Sequence, residues 1–221
     1  MSDKKIGILL QGRITDWTKD IILEFNENFP NSEIFVSTWD DENTDNLNCT
    51  VVKSKAPSMI KNDASTANFQ IIGCQEGLKN MTSDIILKTR TDQFIHNRNI
   101  FNIFLNFCDP KKIMVPDLGT YDNVFRASDL CQIAYRNILL DYWNNIPLYD
   151  GSSHEEPGLY LTKNYILKFK NDHDPWNLIL KKYFYIKSYH DDFQIEFEKL
   201  NHFENYKIMF DEAFKNRSHL D

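Results

Sequence analysis

The chain has 221 residues and a formal net charge of −7, so it lacks the basic footprint that binding to nucleic-acid phosphates leaves on a protein. Hydrophobic residues make up 42% and aromatics 14%, enough for a sizeable core, which excludes a disordered chain. The length suits one large domain spanning 1–221.

The first apolar run, Ile6–Leu10, reads as a strand covered on both faces. It is too short for a signal segment or a membrane span, and no other segment reaches about 18 apolar residues, so a cytoplasmic protein is expected, at most peripheral to the inner face of a membrane. Asp16 is placed to cap a helix over TKDIILEFNENF (18–29), whose Ile21, Ile22, Phe25 and Phe29 share a face and which Pro30 stops. Glu33–Trp39 is β-branched and aromatic, a second strand, followed by an acidic loop at 40–48 and a short strand at Thr50–Val52. A helix is predicted over Ala67–Met81, a strand over Asp84–Thr91, a helix over Ile100–Phe107 and a strand over Lys112–Val115. This order predicts an α/β fold with a mainly parallel sheet and helices on both faces. Beyond residue 120 the pattern gives a strand at Cys131–Tyr135 and helices at Leu139–Trp143, Gly158–Phe169 and Trp176–Tyr185. The last 30 residues alternate aromatic and charged side chains and yield no element.

Cysteines 49, 74, 108 and 131 form no CxxC pair and no His/Cys cluster, so they read as reduced structural thiols.

Polar residues collect at three strand ends, where ligands bind in open α/β sheets. They are Gln11-Gly12-Arg13, Ser37-Thr38-Trp39-Asp40 and Lys88-Thr89-Arg90-Thr91-Asp92. Gly12 permits close backbone approach, Arg13 and Arg90 offer forked donors for phosphate, and Lys88 offers a point charge. Asp92 offers a hard oxygen ligand for Mg²⁺ or Mn²⁺. Basic side chains at the mouth of an acidic protein's sheet point to a small anionic ligand. Trp39 reads either as core or as a base-stacking platform.

ILLQGRI (8–14), FPNSEIFVSTWDDE (29–42) and IILKTRTDQF (85–94), with the helix NFQIIGCQEGLKN (68–80), together resemble the WavE lipopolysaccharide synthesis family. The resemblance covers about the first 120 residues. It implies a GT-A-like glycosyltransferase, with a nucleotide-sugar-binding half (1–120) and an acceptor and catalytic half (121–221). In that reading KTRTD stands at the acidic DxD position that holds a divalent metal on the sugar nucleotide. Arg90 replaces the first acid and only Asp92 remains. Phe69 stands where a basic residue is expected. Gln11, Gly12 and Arg13 would meet the nucleotide, with Thr38 and Asp40 near base and ribose, although Asp40 serves equally well as a loop cap.

Sugar transfer with inversion needs a carboxylate to deprotonate the acceptor hydroxyl. Asp129, before the apolar CQIAY run, is one candidate. Glu156, in His154-Glu155-Glu156-Pro157, is another, and it also suits a helix start. His190-Asp191-Asp192 reads as a late metal ligand or as a solvated turn. The expected function is transfer of a hexose-type unit from a nucleotide sugar to a surface-glycan precursor such as lipopolysaccharide or capsule. A non-catalytic nucleotide- or sugar-binding relative is the alternative, favoured by the missing acid. A nucleotidyltransferase is disfavoured by the single glycine in LLQGRITD.

Overall fold

A computed structural model gives the structure of the protein and describes residues 4–60, 66–152 and 155–201. His154 and residues 202–221, which include most of the unassigned C-terminal stretch, lie outside the described residues. The chain runs β1 (Ile6–Gln11), α1 (Thr18–Asn28), β2 (Glu33–Trp39), β3 (Thr50–Ser54), α2 (Ala67–Asn80), β4 (Ile85–Arg90), β5 (Gln93–Ile95), α3 (Ile100–Phe107) and β6 (Ile113–Pro116). It continues through β7 (Gln132–Tyr135), α4 (Arg136–Asn144), α5 (Pro157–Lys163), α6 (Trp176–Tyr183), β8 (Phe184–Lys187), β9 (Ile195–Phe197) and α7 (Glu198–Asn201). A π-helical segment, Asn164–Phe169, prolongs α5, and another, Tyr189–Phe193, precedes β9.

Seven strands form one sheet in the order β3-β2-β1-β4-β7-β6-β8. β1, β2, β3 and β4 are mutually parallel, and β7 is antiparallel to both its neighbours. This is the mainly parallel α/β sheet that the sequence predicts. Alternation along each strand sends side chains to two apolar layers. Leu9, Phe35 and Ile86 join the layer under α2, α4 and α6, whereas Ile8, Leu10, Val36 and Leu87 join the layer under α1 and α3. No helix among the described residues is long and apolar enough to cross a membrane.

Three local expectations are corrected. Asp16 does not cap α1: the first turn is closed by Thr15 and Thr18, with Thr15 N donating to Thr18 Oγ1 at 2.9 Å and Trp17 N to Thr15 Oγ1 at 3.2 Å. The helix predicted over Trp176–Tyr185 stops at Tyr183, because the following residues pair with β6 as the edge strand β8. β5 and β9 pair antiparallel as a separate two-stranded ribbon, and neither was legible as a strand.

Candidate functional site

In register, Gln11 lies between Ser37 of β2 and Arg90 of β4 at the carboxyl edge of the sheet. The N-terminal half of α2 crosses over this row. Gln11 Nε2 donates to the Phe69 carbonyl at 3.2 Å, and Ser37 Oγ to that of Gly73 at 2.6 Å. A Cβ on Gly73 would come within 2.7 Å of Gln11 Cγ, so the glycine sets how closely the helix approaches.

The loops beyond the strands are stitched together. Gly12 N donates to Ser37 O at 3.1 Å, Thr91 Oγ1 to Arg13 O at 2.5 Å, and Thr18 Oγ1 to Thr91 O at 2.9 Å. Gly12 has φ +144, and a Cβ there would meet Thr91 Oγ1 at 2.7 Å, so this junction requires glycine. The rim encloses a cleft of about 460 Å³, lined by strand-end residues Gln11, Gly12, Arg13, Trp39, Arg90, Thr91 and Asp92. Phe69 and Gln70 of α2 and Lys199 of α7 complete the lining used below. Trp39 is buried and packs edge-on against Phe69, with centroids 5.3 Å apart, so it serves as core and forms one wall of the cleft.

The two arginines are each engaged. Arg13 Nη1 lies 2.6 Å from Glu42 Oε1 and 3.6 Å from Asp41, and Glu42 also accepts from Ile14 N at 3.1 Å. Arg90 grips Asp92 through two parallel bonds of 2.8 Å, Nε to Oδ1 and Nη2 to Oδ2. The Arg90 guanidinium also lies 5.0 Å from the Phe197 ring of β9, and Glu198 N donates to Asp92 O at 3.0 Å. Burial alone would lower the Arg90 pKa, but the hydrogen-bonded Asp92 carboxylate overrides it and holds the group above its ordinary value.

Lys88, Thr38 and Asp40, expected at this mouth, are not brought to the cleft. Lys88 is fully buried beneath it, donating from Nζ to the Asp129 carbonyl at 2.6 Å and lying 5.2 Å from the Trp143 ring. Thr38 is fully buried because alternation turns it, like Val36, towards the α1 layer. Asp40 is exposed outside the lining, and its main-chain N donates to Ser54 O at 3.0 Å.

Asp129 stands beside the cleft. Its Oδ2 accepts from Gln70 Nε2 at 2.6 Å, and its charge acts on Arg90. Glu156 directly precedes α5 but makes no capping bond; it pairs instead with Arg126 and keeps a side chain 64% exposed. Arg126 and Asp129 both lie against Gly158, where a Cβ would be 3.2 Å from Arg126 Nε and 3.3 Å from Asp129 Oδ1. His190-Asp191-Asp192 forms a tight turn on Ser188, whose N donates to Asp192 Oδ2 at 2.8 Å and whose Oγ accepts from Asp191 N at 3.0 Å. Gln70, Glu42 and Lys199 escaped the sequence reading as site residues. Only a tertiary contact brings each of them to the site.

The donor set does not suit a divalent ion. Mg²⁺ and Mn²⁺ favour octahedral oxygen sets, at about 2.1 Å for Mg²⁺. Both Asp92 oxygens are held by a guanidinium, and among the described residues no group of three or more His, Cys, Asp or Glu could hold a metal. The four cysteines are free, as expected. Burial pushes their thiols up, to about 11 at Cys49 and about 12 at Cys74 and Cys108.

Residues 10–118, which carry the three strand ends, match the model of the WavE lipopolysaccharide synthesis family. Over these residues, just under half of its length, the chain is similar to that family. No curated protein matches the chain. Among solved structures, a nucleotidyl transferase from Methanothermobacter is 14% identical with a TM-score of 0.52, covering 97% of this chain and 99% of its own. The 4-diphosphocytidyl-2C-methyl-D-erythritol synthase of Anaerococcus prevotii is 9% identical with a TM-score of 0.52, covering 96% of each chain. A glucosyl-3-phosphoglycerate synthase from Mycobacterium tuberculosis, solved with Mn²⁺ and UDP-glucose, is 10% identical with a TM-score of 0.48, covering 84% of this chain and 70% of its own. At these identities the likeness concerns the fold alone. Residues 10–118 lie in a mainly parallel α/β sheet of the kind found in the Methanothermobacter nucleotidyl transferase.

Proposed function

We propose that the chain is a glycosyltransferase that moves a sugar from a nucleotide-sugar donor to a surface-glycan precursor, in keeping with the WavE family's role in lipopolysaccharide synthesis. One observation carries this reading. Three strand ends of the family segment converge on a single cleft that pairs an aromatic wall, Trp39 and Phe69, with the cations Arg13, Arg90 and Lys199. An aromatic wall suits a nucleobase, and clustered cations suit a diphosphate.

Residues 1–120 then bind most of the donor, with Lys199 reaching the same cleft from the second half, while 121–221 supply the acceptor side. In an inverting transfer the acceptor oxygen attacks the anomeric carbon, the glycosidic bond to phosphate breaks, and the nucleoside diphosphate leaves with the electron pair. Asp129 takes the acceptor proton. Gln70 orients its carboxylate and Lys88 fixes its backbone. A positioned base of this kind contributes about 10²- to 10⁴-fold.

A second reading, nucleotidyl transfer, is favoured by two nucleotidyltransferase-type folds that align over nearly the whole chain. The products separate the two. The protein is incubated with UDP-, GDP-, CMP- and dTDP-sugars, and separately with nucleoside triphosphates plus sugar phosphates. Release of the donor's nucleotide and loss of that release in Asp129→Asn are expected. Pyrophosphate from the triphosphate mixtures would establish the second reading instead, and donor binding without any product would leave a non-catalytic relative.

A further inference from the structure

We propose that the cleft neutralises the diphosphate of its ligand with Arg90 rather than with a divalent cation, and that Asp92 holds the guanidinium instead of a metal. The proposal rests on the nucleotide-sugar reading and specifies how that site handles charge. Arg90 occupies the middle position of the KTRTD strand end, and its fork closes on Asp92 with both bonds at 2.8 Å. The pair is a built feature. Thr91, between them, is turned the other way by its bond to Arg13 O, which leaves residues 90 and 92 on a common side. From above, Phe197 lies against the guanidinium, and Glu198 N fastens the Asp92 carbonyl. Only 33% of the Arg90 side chain and 15% of that of Asp92 is exposed.

A cation bound at Asp92 would have to displace this fork and then lie beside the displaced positive charge. A guanidinium carries five N–H donors, and Asp92 takes two of Arg90's. The group therefore keeps hydrogen-bonding capacity for phosphate oxygens while its carboxylate partner orients it. Lys199 adds a third positive charge to the lining, and among the described residues no ion pair holds it.

The test is calorimetry on the full chain with three probes: Mn²⁺ alone, inorganic pyrophosphate, and UDP, GDP, CMP or dTDP, the anions each in EDTA and in Mn²⁺. Pyrophosphate and one nucleotide are expected to bind equally well in both buffers. Mn²⁺ alone should give no heat, and Arg90→Gln should weaken the anions about tenfold, the scale of a lost charge-assisted contact. Asp92→Asn supplies a measurement that does not depend on Arg90→Gln folding. It frees the guanidinium, so metal-free anion affinity should hold or rise. Mn²⁺ binding that disappears in Asp92→Asn, or anion binding only in Mn²⁺, overturns the proposal and leaves the nucleotide reading standing. Metal-free binding unaffected in a folded Arg90→Gln also overturns it. No binding of any anion in either buffer overturns both.

Discussion

The Nζ of Lys88, shielded completely from solvent, donates a 2.6 Å hydrogen bond to the main-chain carbonyl of Asp129. One buried cation thereby ties the middle of the sheet to the loop that carries the candidate base. Two terms oppose each other in Lys88→Met. An orphaned buried carbonyl costs about 1–3 kcal/mol, whereas removing a buried charge removes a desolvation penalty of several kcal/mol. The expected outcome is a melting temperature close to that of the parent, with kcat reduced about ten- to a hundredfold and KM retained, because Asp129 is no longer held. Equal losses in kcat and in folded fraction would reduce Lys88 to a structural support.

The two carboxylate candidates separate by the same logic. Asp129 is oriented by Gln70, which lines the cleft, whereas Glu156 is largely exposed and paired with Arg126. Asp129→Asn is expected to lower kcat by about 10²- to 10⁴-fold without unfolding the protein. Glu156→Gln breaks an exposed ion pair and should cost no more than about 1 kcal/mol of stability, with activity largely kept. Steady-state rates on both variants decide between them.

At the junction of β1 and β4, Gly12→Ala meets two obstacles, a φ of +144 and a Cβ 2.7 Å from Thr91 Oγ1. Destabilisation of about 1–3 kcal/mol in urea titration is expected, together with weaker nucleotide binding as Thr91 loses Arg13 O. Full stability in this variant would mean that the strand-end stitching is dispensable.

Phe69 is half-buried, so its truncation should spare the fold more than the ligand. Phe69→Ala is expected to weaken nucleotide affinity by about 1–2 kcal/mol, the scale of a lost aromatic contact, while pyrophosphate affinity stays unchanged. Equal losses for both probes would place the base away from the Trp39–Phe69 wall.

Away from the cleft, Asp172 sets an acid limit. It accepts from Lys182 Nζ at 2.6 Å, Tyr183 OH at 2.9 Å and Asp174 N at 3.1 Å, and the Lys182 bond leads in lowering its carboxyl from 3.8 to about 2. A carboxyl with a depressed folded-state pKa adds stability above its unfolded value and loses it as pH falls through the folded value. The contribution should fade between about pH 4 and pH 2, and Asp172→Asn should flatten that part of the melting-temperature profile. An unchanged slope in the variant would show that other carboxyls set the acid limit.

The strands β1, β2 and β4 could be read from the sequence because a run such as Ile6–Leu10 is apolar at every position only when both faces are covered. Their polar ends likewise marked the edge where the cleft forms. β5, β8 and β9 were missed because pairing with a distant partner, not local pattern, makes them strands: β5 and β9 pair with each other, and β8, which directly continues α6, pairs with β6. Alternation by itself could have withdrawn Thr38, which shares the parity of Val36. It could not separate Lys88 from Arg90, which share a face.

Sequence alone therefore determined the strands at the centre of the sheet and its polar edge, because burial and polarity are written residue by residue. Tertiary structure decided which charges are available. Lys88 is sealed in by Trp143 and the Asp129 carbonyl, Arg13 is matched by Glu42, and Arg90 and Asp92 close on each other. A charge's availability depends on what packs against it, and that is fixed only when distant segments meet.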